Sequence, residues 1–214
     1  MQIFHRSTNT LARASLFGAA VLLGGATWVF ARLDGSPYAT RQGVVREQPV
    51  PFSHEHHVRG LGIDCRFCHA SVETSAFAGM PSTATCMQCH GELWTDAEPL
   101  APVRASWRTG QPIAWTRVHD LPDFAYFDHA IHVAKGVSCT TCHGPVEEMP
   151  LMRSAASLRM EWCLDCHRDP IGRLRPPDEV FATGAAPVPD EASQRALAAA
   201  LDVRPRTSCS TCHR

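Results

Sequence analysis

Ten cysteines and five of the twelve histidines in this 214-residue chain form five copies of one pentapeptide, Cys-x-x-Cys-His. The copies begin at Cys65, Cys86, Cys139, Cys163 and Cys209, and we number them as the first to fifth motifs in chain order. Two thiols three positions apart on a tight turn can each form a thioether with one vinyl group of haem. The histidine that follows can then bind the iron from the proximal side. The spacing therefore predicts five covalently bound haem c groups.

This reading assigns a role to every cysteine of the chain. The predicted thioether residues are Cys65, Cys68, Cys86, Cys89, Cys139, Cys142, Cys163, Cys166, Cys209 and Cys212. The predicted proximal iron ligands are His69, His90, His143, His167 and His213.

Zinc binding and thiol redox chemistry are the main alternatives for cysteines at this spacing. A structural zinc site needs four ligands, usually from two separated cysteine pairs, and five self-contained copies leave one unpaired. A thioredoxin-like motif would occur once, within a β-α-β pattern, and the sequence shows no such pattern. Both alternatives fit the five-fold repetition less well than haem does.

A second repeated phrase, Phe-x-His-x-x-His-Val, occupies residues 52–58 and 127–133. Each copy is followed by two of the cysteine motifs, so the chain is an imperfect duplication with the fifth motif appended. Histidines at positions i and i+3 lie on one face of a helical turn. Since one haem iron has a single distal position, we expect the two neighbouring imidazoles of each phrase to serve two different haems.

Five histidines are the candidate distal ligands for the five irons. They are His54, His57, His119, His129 and His132. His119 stands outside the phrases, so a loop-capping or water-binding role is its alternative. His5 precedes an apolar segment, and the counterpart of His56 in the second phrase is Ile131, so neither is expected to bind iron. Methionine is the other common distal ligand, and Met149 and Met152 are the candidates, although a methionine near a haem more often only packs.

Residues 14–31 carry no charge and are rich in Leu, Val, Ala, Gly and Phe. A helix of this length is about 27 Å long, enough to cross the hydrocarbon core of a membrane. Arg13 and Arg32 bracket it, and Trp28 is placed as an interfacial anchor. A cleaved signal peptide is the alternative, but its apolar region is usually only about 7–15 residues long. We expect a retained single-pass anchor over residues 1–34 in the cytoplasmic (inner) membrane.

The remaining residues, 35–214, are predicted to form one haem domain on the periplasmic side, since c-type haem is attached outside the cytoplasm. Shared among five haems, these residues are too few to build a conventional core around each one. We therefore expect mostly coil, with short α-helices packed around the haems. The 16 prolines and 14 glycines agree with this. Asp190 should cap a helix that reaches residue 203. Residues 176–177 and 185–189 should form an extended connector. No strand is expected, because no alternating pattern of useful length is present.

The charge balance and the ligand count restrict the function. A net charge of −1 provides no basic field for nucleic acid. An enzyme that acts on a small molecule at haem needs an open iron position, whereas here each iron has two candidate ligands. The sequence therefore predicts electron transfer with no catalytic residues.

The phrase before each pair of motifs resembles the small class III multihaem cytochromes of the c3 and c7 type. More specifically, residues 52–58, 60–65, 117–124, 160–163 and 209–214 resemble the pentahaem subunit of bacterial alternative complex III. That resemblance implies a quinol-oxidising respiratory complex. Its implied partners are an iron–sulfur subunit related to molybdopterin oxidoreductases, polytopic quinol-binding subunits, and a monohaem cytochrome c or terminal oxidase.

Two other functions remain open at this point. One is a stand-alone membrane-anchored quinol dehydrogenase of the type that donates electrons to nitrite or nitrate reductases. The other is a multihaem reductase with one open iron, which would bind carbon monoxide or nitrite.

Overall fold

The computed structural model of the chain describes residues 4–184 and 189–213, and it is largely coil interrupted by short helices. Within these residues the α-helices are α1 (Ser7–Asp34), α2 (Pro37–Thr40), α3 (Cys65–Cys68), α4 (Thr83–His90), α5 (Ala101–Thr109), α6 (His129–Ala134), α7 (Cys139–His143), α8 (Met160–Arg168), α9 (Glu191–Ala200) and α10 (Cys209–Cys212). A π-helix spans Glu55–Gly60, and 3-10 turns span Glu98–Leu100, Val146–Glu148, Ile171–Arg173 and Pro177–Glu179. The described residues form no strands, only two isolated antiparallel bridges. The predicted architecture of coil and short helices is confirmed.

The chain divides into two compact units, one ending at Gln42 and the other beginning at Gly43. The first contains α1, none of whose side chains is buried. An 18-residue window within it has a mean hydropathy of 1.7, and its 28 residues give a length of about 42 Å. The helix is long and apolar enough to cross a membrane. It ends where the Gly35 N–H donates to the carbonyl of Ala31 at 3.2 Å, and the functional division at residue 34 stays a prediction.

Each cysteine motif of the second unit lies on a short helix, namely α3, α4, α7, α8 or α10. Residues that accept from the first free N–H groups start some of these turns. The Asp64 carboxylate accepts from the Arg66 N–H at 2.8 Å at the start of α3. Ser138 accepts from the Thr140 N–H at 3.3 Å at the start of α7. The sequence before each of these motifs therefore begins the turn that brings its two thiols to one side.

The two histidine phrases also adopt helical turns, as the spacing predicted. The first lies on the π-helix and the second on α6, which Asp128 caps by accepting from the Ile131 N–H at 3.2 Å. A π-helix has a wider turn than an α-helix and is often found at functional positions.

The second unit has only small local clusters of buried apolar side chains. Met149, Leu174, Val103 and Val180 are the largest fully buried ones. Helix α9 packs on the turn at Ile171–Arg173, where the Gln194 amide donates to the Leu174 carbonyl at 3.0 Å. This agrees with the expectation that the polypeptide alone does not build a conventional core.

The predicted helix after Asp190 is confirmed, because the Asp190 carboxylate accepts from the Ser193 N–H at 2.9 Å. It ends at Ala200 rather than at residue 203. The predicted connector is not extended at Pro177, because a 3-10 turn spans Pro177–Glu179. Residues 185–188 of the predicted connector lie outside the described part of the chain.

Candidate haem-binding sites

The two histidine phrases have the same internal geometry, although 75 positions separate them in the sequence. In the first, the Phe52 ring meets His54 edge-on at 4.9 Å between centroids and stacks on His57 at 4.3 Å. In the second, Phe127 meets His129 edge-on at 4.7 Å and stacks on His132 at 4.4 Å. One phenylalanine thus contacts both imidazoles of its phrase and sets them roughly at right angles to each other. The sequence showed these phenylalanines only as part of a repeat; their contacts were missed.

Seven of the predicted iron ligands have the same hydrogen bond at ring atom Nδ1. In each, Nδ1 lies 2.6–3.2 Å from a backbone carbonyl oxygen; the histidines are His57, His69, His90, His129, His132, His167 and His213. A carbonyl can only accept, so Nδ1 must carry the proton. This leaves the lone pair on Nε2, which is the arrangement found in metal-binding histidines.

Glycine makes one of these bonds possible. The carbonyl of Gly79 accepts from the His69 Nδ1–H at 2.7 Å, and Gly79 has a φ of +84°. A Cβ atom at this position would lie 2.8 Å from the Ser71 hydroxyl oxygen. The loop after the first motif therefore needs a residue without a side chain to aim this carbonyl at the imidazole.

Three histidine pairs have the separation that two ligands of one iron require. A metal–imidazole bond is about 2 Å long, so imidazoles on opposite sides of one metal have centroids about 6 Å apart. The observed centroid distances are 6.2 Å for His57–His90, 6.3 Å for His129–His143 and 6.0 Å for His132–His167. Each pair joins one predicted distal histidine to one predicted proximal histidine, so the donor set fits haem.

Comparison with known proteins gives the same result for the C-terminal part of the chain. Residues 125–214 match the family described as cytochrome c7 and related cytochrome c. This part of the chain is cytochrome c7-like. Such cytochromes carry covalently bound haem c, in agreement with the motifs.

The chain is also similar to the "Menaquinone reductase, multiheme cytochrome c subunit" of Nitratidesulfovibrio vulgaris (strain Hildenborough). The two are 39% identical over 99 residues, a stretch that covers 46% of each chain. The chain therefore spans less than half of the length of that relative. Both comparisons are therefore with multihaem c-type cytochromes, and each covers less than half of the chain.

Burial keeps several of the predicted histidine ligands neutral. Burial, and then the neighbouring His69 and His57, lower the pKa of His54 to about 4. Burial, and then His119 and other nearby histidines, lower the pKa of His143 to about 3. The neutral imidazole is the form that binds a metal ion, so these residues are in the ligating state at physiological pH.

His54 is linked to the first motif by its surroundings and not by a measured ring pair. Its Nδ1 is buried and is among the few buried polar side-chain atoms of the described residues that have no hydrogen-bond partner. His54 therefore lacks the bond from Nδ1–H to a backbone carbonyl that seven of the other predicted ligands make. His69 lies close enough to act on its pKa, as the parallel with His129 and His143 in the second half leads one to expect.

His119 has a different position from the other candidates. Its ring lies 4.3 Å from that of His143, and its Nε2 is 3.3 Å from the His143 Nδ1. This separation is shorter than the distance of about 6 Å between two imidazoles on one metal. The structure thus brings His119 to the third motif as a hydrogen-bond partner of His143, and its role as a distal ligand stays a prediction.

The fifth motif is held by the loop before the second phrase. The His213 Nδ1–H donates to the Phe124 carbonyl at 2.9 Å, and the Tyr126 N–H donates to the Cys212 carbonyl at 2.8 Å. The Phe124 ring also faces His213, at a centroid distance of 5.8 Å.

The remaining candidates divide into buried and exposed residues. Met149 is fully buried and Met152 is half-buried, and ligation by either stays a prediction. His56 is exposed beside His57, with its ring 5.5 Å from that of Trp94, and His5 is exposed near the start of α1. None of the ten cysteines is in a disulfide. Residues 4–184 and 189–213 contain no group of three or more His, Cys, Asp or Glu side chains placed to hold a metal ion.

Proposed function

We propose that this chain is an electron-transfer subunit with five haem c groups, anchored in a membrane complex that exchanges electrons with the quinone pool. The observation that carries the proposal is the three histidine pairs at 6.0–6.3 Å, each of which combines a motif histidine with a phrase histidine. Mass analysis of the mature protein tests the cofactor count, and fewer than five attached haems would contradict it.

The residues have separate tasks in this proposal. The cysteines of each motif would fix the porphyrin through thioethers, and the histidine that follows them would bind the iron. His57, His129 and His132 would be the second ligands of the irons bound by His90, His143 and His167, and we assign His54 to the iron of His69 by the parallel between the phrases. Such haems would supply reversible one-electron redox chemistry. With two protein imidazoles on each of these irons, a substrate would find no open position.

Helix α1 is proposed as a retained anchor, with the haem domain on the periplasmic side. Its length and apolar composition support this, and haem attachment outside the cytoplasm gives the orientation. N-terminal analysis of the purified protein tests it, because a signal peptide would be missing from the mature chain. Carbonate washing of membranes provides a second readout, in which an anchored chain stays with the membrane.

Within this class we propose membership of an alternative complex III. The support is the resemblance of residues 52–58, 60–65, 117–124, 160–163 and 209–214 to its pentahaem subunit. The proposed partners are an iron–sulfur subunit related to molybdopterin oxidoreductases, polytopic quinol-binding subunits, and a monohaem cytochrome c or terminal oxidase as acceptor. Electrons would enter from the quinol and iron–sulfur side.

Purification in mild detergent tests this membership. Recovery of an iron–sulfur subunit with polytopic subunits supports it. Recovery of a lone chain whose haems a quinol analogue reduces would instead identify a stand-alone quinol dehydrogenase.

The relative's name favours a second candidate, in which electrons flow towards the quinone. That relative is a subunit of a menaquinone reductase, and a subunit with the same role here would deliver electrons to the quinone pool. The purified complex distinguishes the two directions. Oxidation of menaquinol with reduction of a soluble cytochrome supports the first candidate, whereas reduction of menaquinone by reduced cytochrome supports the second.

A further inference from the structure

Contacts between the motifs define which haems are neighbours, and this goes beyond the number and ligands of the haems. This order rests on the proposed function, in which each of the five motifs carries a haem. Two pairs of neighbouring motifs are given by the histidine phrases, and two more by contacts between distant parts of the chain.

The phrases link the first motif to the second and the third to the fourth. His57 pairs with His90 of the second motif, and His54 lies close to His69 of the first. Residues three apart on a helical turn have Cβ atoms only about 5–6 Å apart, so the two haems they serve must be neighbours.

The second phrase gives the same result one repeat later. His129 pairs with His143 of the third motif, and His132 pairs with His167 of the fourth. The third and fourth haems are therefore neighbours.

A long-range contact joins the two halves at the first and third motifs. The Ala76 carbonyl accepts from the His129 Nδ1–H at 2.8 Å, although 53 positions separate the two residues, and the Ser75 carbonyl accepts from the Ala130 N–H at 3.2 Å. The loop after the first motif thus packs on the phrase that serves the third.

The last link joins the fourth motif to the fifth. Arg206 lies three positions before Cys209, and its carbonyl accepts from the His167 Nδ1–H at 3.1 Å. In return, the Arg206 N–H donates to the His167 carbonyl at 3.0 Å.

We infer that the five motifs form one row in the spatial order second, first, third, fourth, fifth, so that the second and fifth motifs are its two ends. An independent observation agrees with these ends. Of the ten cysteines, the two that are exposed are Cys89, in the second motif, and Cys209, in the fifth. The row reverses the chain order of the first two motifs and puts the third at its centre.

Two matched variants test the order by removing one haem each. In the variant C65A/C68A the first haem is lost, so the second is cut off from the rest of the row. In the variant C86A/C89A the second haem is lost from an end, and the other four stay connected. A row in chain order predicts the opposite, with the second variant cutting off the first haem.

Electrons are injected at the other end of the row through a photosensitiser attached to T207C. Thr207 is exposed and lies two positions before Cys209, and every motif cysteine is blocked by its thioether or removed. We expect one quarter of the remaining haem to be reduced in a separate slow phase in C65A/C68A, and a single fast phase in C86A/C89A. A slow phase in C86A/C89A only, in both variants, or in neither would overturn the row.

The unaltered haem-loaded protein provides a readout that does not depend on the variants' folding. In an experimental structure of this protein, the third iron should be among the nearest neighbours of the first iron. The nearest neighbour of the fifth iron should be the fourth. If the second iron lies nearer to the third than the first does, the order is wrong. A haem count below five in the same sample would instead show that the proposed function fails, so the two failures are distinguishable.

Discussion

Replacement of His57 by alanine tests the pairing of ligands most directly. The His57 ring lies 6.2 Å from that of His90 and stacks on Phe52 at 4.3 Å. Without His57, the iron of the second motif keeps only its proximal ligand. A haem iron with an open position binds exogenous ligands such as carbon monoxide. Because the chain has five motifs, we expect about one fifth of the haem to become high-spin and to bind carbon monoxide.

The adjacent His56 supplies the matched control. It is exposed, and its ring lies 5.2 Å from that of His57, so H56A changes the same helical turn without removing a proposed ligand. The assay is the difference spectrum of the reduced protein with and without carbon monoxide, normalised to total haem. We expect H56A to bind no more carbon monoxide than the unaltered protein. Binding in H56A rather than H57A, or in neither variant, would refute the pairing.

Three further changes test the packing around the sites. F127A removes the ring contacts to both histidines of the second phrase, worth about 0.5–1.5 kcal/mol per pair; we expect a lower melting temperature, largely restored in F127W. G136A places a Cβ atom 2.5 Å from a backbone carbonyl oxygen, at a φ of +77°. We expect this variant to lower the free energy of unfolding, measured by denaturant titration, by more than about 1 kcal/mol. In the control G172A the added Cβ meets nothing within 4 Å, so the free energy of unfolding should not change. The hydrogen bond from Arg66 holds the pKa of the Asp64 carboxyl group below its usual 3.8. The stabilisation that this ionised carboxylate provides is therefore present above pH 3.8 and is lost as the pH falls through the lowered pKa. D64N should abolish this part of the fall in melting temperature at acid pH, and the same fall in D64N as in the unaltered protein would contradict the assignment.

The sequence predicted the elements of this fold whose cause is local. Asp190 caps its helix through the N–H of Ser193, three residues away, and the uncharged residues 14–31 lie within α1. The histidine phrases form turns because their spacing places two imidazoles on one face. Each of these features depends on residues within a few positions of one another, so composition and spacing are enough to show it.

The contacts that the sequence could not show are those between distant segments. The carbonyl partners of His129 and His167 lie 53 and 39 positions away along the chain. The approach of His119 to His143 joins positions 24 apart and places His119 beside the third motif. No local signal in a single sequence shows which loop will supply a carbonyl to which imidazole.

The duplication explains how local and distant contacts combine into the proposed row of motifs. Within each half, one phrase holds two predicted ligands on one turn, and one phenylalanine contacts both imidazoles. Each half therefore brings two motif histidines to its own phrase. The halves meet where the loop after the first motif supplies the Ala76 carbonyl to the His129 Nδ1–H. Because this contact joins the first motif to the phrase that serves the third, the second motif is left at one end of the proposed row, and the appended fifth motif extends the other.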